Sequence, residues 1–488
     1  MTGLEPAIEY HVVNSLGWPD LRPLQRAAVA PIRDGADCLL LAPTAGGKTE
    51  AAFFPILSEI VAESWGGLSV LYVTPLRALL NNLQPRLHGY AQWVGRRVEV
   101  WHGDVGPGPR RRILADLPDV LLTTPESLEA MLVSTRVDHR FLFSGVRAVV
   151  VDELHAFAGD DRGWHLLAVL ERIQHLAGRR LQRVGLSATV GNPDELLAWL
   201  GGGTPAPDGQ VIAPLTGELG PPSVAVDYVG SVANAATVIA ALHHGEKRLA
   251  FCESRSQTED LAQELRDRDV TTFVSHSSLS ADERRRSEQA FAEARDCVVV
   301  ATSTLELGID VGDLDRVIQL DSPRTVASFL QRLGRTGRRS GTQRNTLFLC
   351  TREDSLLQAA GLLQLWSTGY VEPVVPPSMP WHIVAQQLLA LALQEGAIGL
   401  ATWREWWSGL SMMEDGQVIL DHLIEAGFLA VDGGFAFVGQ AAEQAFGRRH
   451  FMRLTAVFTA DPELRVMHGR RDVGSVSPLS LTQRPAIL

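Results

Sequence analysis

A chain of 488 residues with 45% hydrophobic and 20% charged side chains can bury more than one core, and at roughly 150 residues per domain it divides into about three. Lys+Arg number 44 against 56 Asp+Glu, a net charge of -12 that excludes a generally basic surface; any nucleic-acid partner must be held by local basic patches. The four cysteines, Cys38, Cys252, Cys297 and Cys350, form no CxxC pair and each sits in or beside an apolar run, so they read as packing residues of a reducing compartment, not disulfides or zinc ligands.

Met1 to Asp20 lacks the basic start and apolar core of a signal peptide, and no apolar stretch approaches the ~18 residues of a membrane span. The expectation is a soluble cytoplasmic chain with no membrane partner. Only Lys48 and Lys247 are lysines, so a lysine retained among so many arginines invites a chemical reason.

From Arg22 to Leu200 short apolar strands (CLLLA, SVLYVT, VEVWHG, DVLLTT, AVVVDE, RVGLSAT) alternate with helical segments, which predicts a doubly wound parallel α/β sheet. Gly201 to Gly209 reads as a linker. The pattern restarts with RLAFCES, TTFVSHS, CVVVATS, RVIQLD and TLFLCT, and with helices over Gln257–Arg268 and Ala281–Ala294. Two α/β lobes over 1–208 and 209–372 follow, with their cleft as the natural ligand site. From Pro373 the strands vanish. Helices over His382–Gln394, Thr402–Leu410 and Gly416–Ala426, then a hairpin around Asp432-Gly433-Gly434, are the parts of a winged helix over 373–445. Residues 446–488 form a tail.

The strongest motif is Ala42-Pro43-Thr44-Ala45-Gly46-Gly47-Lys48-Thr49, between a strand and a helix. Its glycines let backbone N–H groups close on phosphate, Lys48 reaches the terminal phosphates and Thr49 ligates magnesium. Asp152 and Glu153 end an apolar strand, where Asp152 suits the metal and Glu153 suits activation of the attacking water. In Gln331-Arg332-Leu333-Gly334-Arg335-Thr336-Gly337-Arg338 the arginines recur every three residues, so on a helical turn they face one way, the pattern of arginine fingers. The three tryptophans Trp403, Trp406 and Trp407 read as core, not as a base-stacking platform, and His102 and His276 as loop hydrogen-bonders.

These motifs, in this order, resemble the superfamily 2 DExH helicases. Leu21–Gln25 is similar to the Q motif, with Gln25 implied as adenine reader; Thr74–Leu79 and Thr123–Ser127 resemble motifs Ia and Ib; Ser187-Ala188-Thr189, Ala250–Arg255 and Thr302–Asp310 resemble motifs III, IV and V. GKTEAA, LELGID and the tail narrow the resemblance to the Lhr (large helicase-related) family. It implies two tandem RecA-like lobes and a winged helix. It also implies ATP and Mg2+ as cofactors, and 3′-to-5′ tracking on single-stranded DNA with unwinding of DNA or RNA:DNA duplexes. The implied site adds Gly308 and Asp310 for nucleotide, Arg335 and Arg338 as fingers, Ser187 and Thr189 for coupling, and Arg77, Thr124 and Thr304 for strand phosphates. Family members usually continue into a β-rich region, so a protein partner supplying the missing C-terminal region is a further expectation. An RNA helicase, an ATP-gated clamp or a motor subunit remain alternatives, because motor motifs grip backbone.

Overall fold

The computed structural model describes residues 3–43, 46–203, 208–213, 221–275, 294–302, 305–306, 314–337, 342–407, 409–446, 464–468 and 471–476. The first sheet holds β1 (Cys38–Leu41), β2 (Val70–Val73), β3 (Val98–Trp101), β4 (Val120–Thr123), β5 (Ala148–Val151), β6 (Gln182–Ser187) and β7 (Gln210–Ile212). All pairings are parallel, in the order β3-β4-β2-β5-β6-β1-β7. Strand β1 shows why its apolar run is continuous. Cys38 and Leu40 enter one core with Phe54 and Tyr72, while Leu39 and Leu41 enter another with Val73 and Leu154, so both faces are covered.

Strand β7 lies beyond the boundary expected at 208. Gln210 N–H bonds Asp37 O at 2.8 Å and the strand runs parallel to β1, pairing backbone groups that β1 would otherwise leave open at the sheet edge. The Gly-rich break therefore precedes the last strand of this lobe.

The second sheet holds β8 (Ser223–Tyr228), β9 (Lys247–Phe251), β10 (Thr272–Ser275), β11 (Cys297–Ala301), β12 (Arg316–Leu320) and β13 (Asn345–Cys350), all parallel, in the order β10-β11-β9-β12-β13-β8. Edge strand β8, outside the predicted strands, carries only the short apolar run Val224-Ala225-Val226 next to the Gly- and Pro-rich stretch, and its side chains are largely exposed. The helix expected over 281–294 lies outside the described residues. All four cysteines are buried free thiols; burial pushes those of Cys38 and Cys252 up to about 12.

After the lobes come the helices Trp381–Glu395 and Gly416–Glu425 and a small antiparallel sheet of β14 (Ile398–Gly399), β15 (Leu429–Asp432) and β16 (Phe435–Val438), in the order β14-β16-β15. Gly433 and Gly434, at φ +57° and +84°, make the tight turn between β15 and β16 that only glycine adopts freely. The helix expected at Thr402–Leu410 is instead a 3-10 turn, Trp403–Trp407, followed by Gly409 at φ +82°. Trp403 and Trp407 are buried with ring centroids 6.2 Å apart, as core residues. In the tail, β17 (Leu464–His468) pairs antiparallel with β18 (Arg471–Val476).

A buried polar seam joins this unit to the first lobe. Fully buried Arg172, on helix Asp161–Ala177, bonds Glu129 Oε1 (2.7 Å), Gln387 Oε1 (3.1 Å) and Gln394 Oε1 (2.9 Å). Gln387 and Gln394 sit two turns apart on one helix face. His165 reaches the other oxygen of Glu129 at 3.1 Å. No helix among the described residues is long and apolar enough to cross a membrane.

Candidate nucleotide site between two lobes

The phosphate-type loop closes only with glycine. A Cβ on Gly46 would lie 2.6 Å from Ala42 Cβ and 2.9 Å from Pro43 O, and Gly47 sits at φ +77° with Gln25 Nε2 2.6 Å from where its Cβ would be. Helix Lys48–Ala62 begins at once after it, so its first N–H groups face the same space. Lys48 Nζ donates to Ala42 O at 2.7 Å. Burial lowers the pKa of this ammonium, and the carboxylates of Glu153 and Asp152 work to hold its charge. Thr44 and Ala45 lie outside the described residues.

Strand β5 delivers both carboxylates to this space. Asp152 Oδ2 accepts from Tyr72 Oη at 2.9 Å and Oδ1 from the Glu153 N–H at 2.9 Å. Burial, then the neighbouring Glu153, raises the Asp152 carboxyl above its usual range. Glu153 itself is left-handed, at φ +52° and ψ +48°. For a non-glycine residue this costs about 1 kcal/mol, and such strain clusters at functional sites.

The second lobe completes the cavity. Lys48, Thr49, Asp152, Glu153 and Arg335 line one space of about 670 Å³, together with Trp18, Arg22 and Arg86. Oxygen donors Thr49 and Asp152 suit a hard cation, and no group of three or more His, Cys, Asp or Glu side chains gathers among the described residues to hold a metal alone. This donor set fits magnesium, which keeps waters and takes its other ligands from phosphate oxygens.

His155 bridges the lobes. Its ring nitrogens meet Ser187 Oγ at 3.1 Å and Gln331 Nε2 at 2.8 Å. Burial, then Lys48, lowers its pKa to about 4, so the imidazole is neutral. With Gln331 as donor, Nε2 accepts, while Nδ1 lies within reach of both the Ser187 hydroxyl and, at 3.4 Å, the Ala188 N–H.

One expectation about the arginines fails. Helix Val326–Leu333 ends at Gly334, so Arg332 and Arg335 do not face one way. Arg332 is buried inside the second lobe, bonding Glu253 at 2.7 Å and also Glu306, while Arg335 alone of the two lines the cavity. Arg338, Thr304, Gly308 and Asp310 lie outside the described residues.

Other predicted residues are placed as follows. Gln25 is buried behind the loop, its Nε2 3.4 Å from Gly47 O and its Oε1 accepting the Arg22 N–H, while Trp18 and Arg22 line the cavity. Arg77 is exposed and paired with Asp104 at 2.8 Å. Thr124 is buried with its hydroxyl 3.1 Å from Ser127 Oγ at the start of helix Pro125–Leu132. Ser187 is buried against His155, whereas Thr189 is exposed. His102 bonds Asn81 at 3.1 Å, as a loop hydrogen-bonder; His276 lies outside the described residues.

Sequence reasoning missed Tyr72, Arg86 and Trp18. Arg86 lies 3.4 Å from Glu50, which also accepts from Tyr90 Oη at 3.1 Å, and this pair forms one wall of the cavity. Tyr72 carried a weak signal, a hydroxyl inside an otherwise apolar strand.

The geometry agrees with comparisons to known proteins. Residues 22–196 match the DEAD/DEAH box helicase model and 233–340 the helicase conserved C-terminal domain. The chain is 33% identical to Lhr helicase/probable uracil glycosylase of Mycolicibacterium smegmatis, over 76% of this chain and 28% of that protein. It is 32% identical to ATP-dependent helicase Lhr-Core protein 2 of Thermococcus barophilus, over 76% and 47%. It therefore spans between about a quarter and a half of the length of these relatives. The solved structure of Mycobacterium smegmatis helicase Lhr bound to ssDNA and AMP-PNP superposes with TM-score 0.79 at 30% identity, covering 95% of this chain and 63% of that one. The helicase MrfA bound to DNA and AMPPNP, at 19% identity and TM-score 0.75, shares the fold. With both RecA-like lobes, the cavity between them and these relatives in agreement, the chain belongs to the superfamily 2 DEAD/DEAH-box helicases of the Lhr-like kind.

Proposed function

We propose that this chain is an ATP-driven motor that tracks 3′-to-5′ along single-stranded DNA and separates DNA or RNA:DNA duplexes. The observation that carries the reading is Arg335 of one lobe lining the same cavity as Lys48, Asp152 and Glu153 of the other. Hydrolysis in this arrangement requires both lobes together, which is how nucleotide turnover becomes lobe movement.

The roles follow from the chemistry of each group. Lys48 neutralises the terminal phosphates as a point charge. Thr49 and Asp152 hold magnesium, which when bound screens the phosphate charge. Glu153 takes a proton from the attacking water, and Arg335 offsets charge developing on the transferred phosphoryl group. Arg77, Thr124 and Thr304 meet strand phosphates, which set affinity and register but not sequence. Ser187 and Thr189 couple the site to strand movement. Residues 373–445 act as a winged helix behind the two lobes, the first running from 1 through β7 and the second from beyond β7 to 372. The four buried thiols fit a reducing, cytoplasmic setting.

The neighbouring Lhr structure holds ssDNA, which supports a DNA track. ATP turnover of the purified chain with oligo(dT), with oligo(rU) and with neither tests this reading. Stimulation by DNA is expected; turnover indifferent to any nucleic acid would remove the motor assignment, and stimulation by RNA alone would transfer it to RNA.

A further inference from the structure

The segment joining the second lobe to the C-terminal helices is fastened at two ends. Glu372 caps helix Val326–Leu333: its carboxylate accepts the N–H groups of Val326 (2.8 Å) and Ala327 (3.0 Å), while Thr325 Oγ1 takes that of Ser328 (3.1 Å). Three of the four open N–H groups of that helix are thereby satisfied by side chains, and a carboxylate is favoured there by the helix dipole. The same helix carries Gln331, bonded to His155, and leads into Arg335.

The backbone of this segment belongs to the other lobe. Glu372 O accepts the Gly191 N–H at 3.1 Å, two residues past Thr189. Asn192 brackets Val374, accepting its N–H at 2.8 Å and donating to its carbonyl at 3.0 Å. A Cβ on Gly191 would lie 2.2 Å from Val371 O, so glycine alone permits this approach. Further along, Trp164 Nε1 donates to Pro377 O at 2.8 Å.

We propose that Glu372 is a positioning residue: a strap that registers the helix bearing Gln331 and leading to Arg335 against the first lobe when the cleft closes. The proposal rests on the reading of the cleft as an ATP site. Opening the cleft parts the lobes, so one end of the strap must release. A Gln at 372 keeps the shape but turns one oxygen into a donor facing backbone N–H groups, and so weakens the lobe 2 end. Gly191→Ala leaves the cap intact and disrupts the lobe 1 end.

The test follows closure directly. All native cysteines are buried, so Phe141→Cys and Leu357→Cys, at positions 63% and 71% exposed, accept a donor and acceptor dye selectively. With AMP-PNP, Mg2+ and oligo(dT), Glu372→Gln should lower the closed-to-open ratio about fivefold, the usual worth of a lost cap, and Gly191→Ala should lower it through the lobe 1 end with the cap intact. Turnover should fall in step, while AMP-PNP affinity without oligo(dT) stays within about twofold because lobe 1 holds the phosphates. Wild-type closure with both variants unchanged overturns the strap alone. A defect in Glu372→Gln without one in Gly191→Ala also overturns it, since a helix cap would then suffice. A wild-type chain that neither binds AMP-PNP nor closes overturns the reading of the cleft, and the strap with it.

Discussion

Gln331 of the second lobe meets His155 of the first at 2.8 Å, and the far side of the same ring meets Ser187 at 3.1 Å. A single imidazole thus connects the strand end that carries Glu153 to the helix that leads to Arg335.

That ring predicts an acid limb. Free histidine protonates near 6.5, but in the folded chain burial and Lys48 lower this to about 4. Between these values the unfolded chain binds more protons, so the stability held by the neutral ring is complete above about pH 6.5 and lost as pH falls toward 4. The full loss is about 3 kcal/mol. Thermal melts of wild type and His155→Gln across this window should show a steeper fall in the wild type. Asp152, whose carboxyl is raised, is common to both proteins and cancels in the difference. Parallel curves would refute the assignment.

Glu153→Gln should bind nucleotide as the wild type does and lose turnover by about 10²- to 10⁴-fold, the usual worth of a general base. Fluorescent-nucleotide titration beside steady-state turnover separates the two. Retained turnover would mean that another group activates water.

Tyr72→Phe removes the hydroxyl that donates to Asp152 at 2.9 Å. Removing a hydrogen-bond partner that orients a metal ligand typically costs about 10- to 100-fold in metal affinity, so the Mg2+ concentration needed for half-maximal nucleotide binding should rise at least roughly tenfold. Binding without Mg2+ should not change. An unchanged Mg2+ requirement would leave Tyr72 as packing.

Arg172→Met takes the guanidinium from Glu129, which is fully buried and held well below the usual carboxylate range chiefly by Arg172 against the cost of its own burial, and leaves it His165 and the side-chain amides of Gln386 and Gln387 as partners. Leaving one buried charge unpaired costs about 3–5 kcal/mol, whereas replacing both partners is far cheaper. Arg172→Met with Glu129→Gln should therefore recover much of the lost melting temperature. A double variant as unstable as the single one would show that the charge pair is not the source. The wild-type pair itself loses its contribution as pH drops below about 4.5, where unfolded glutamate takes up protons that native Glu129 refuses.

The two parallel sheets, the glycine loop before Lys48 and the Asp152-Glu153 strand end were legible in the chain itself, because each is a short-range matter. Continuous apolar runs demand a sheet covered on both faces, and a loop that closes at 2.6 Å from Ala42 Cβ admits only glycine. Other features depend on which distant elements meet. Periodicity put Arg332 and Arg335 side by side, yet the helix stops at Gly334 and sends one into the second lobe and the other into the cleft. Tyr72 acts on a residue 80 positions away, Glu372 on two different lobes, and Arg172 on glutamines more than 200 positions distant. No local pattern encodes such pairs; burial makes them, because a polar group removed from water must find its partner wherever the packed chain brings one.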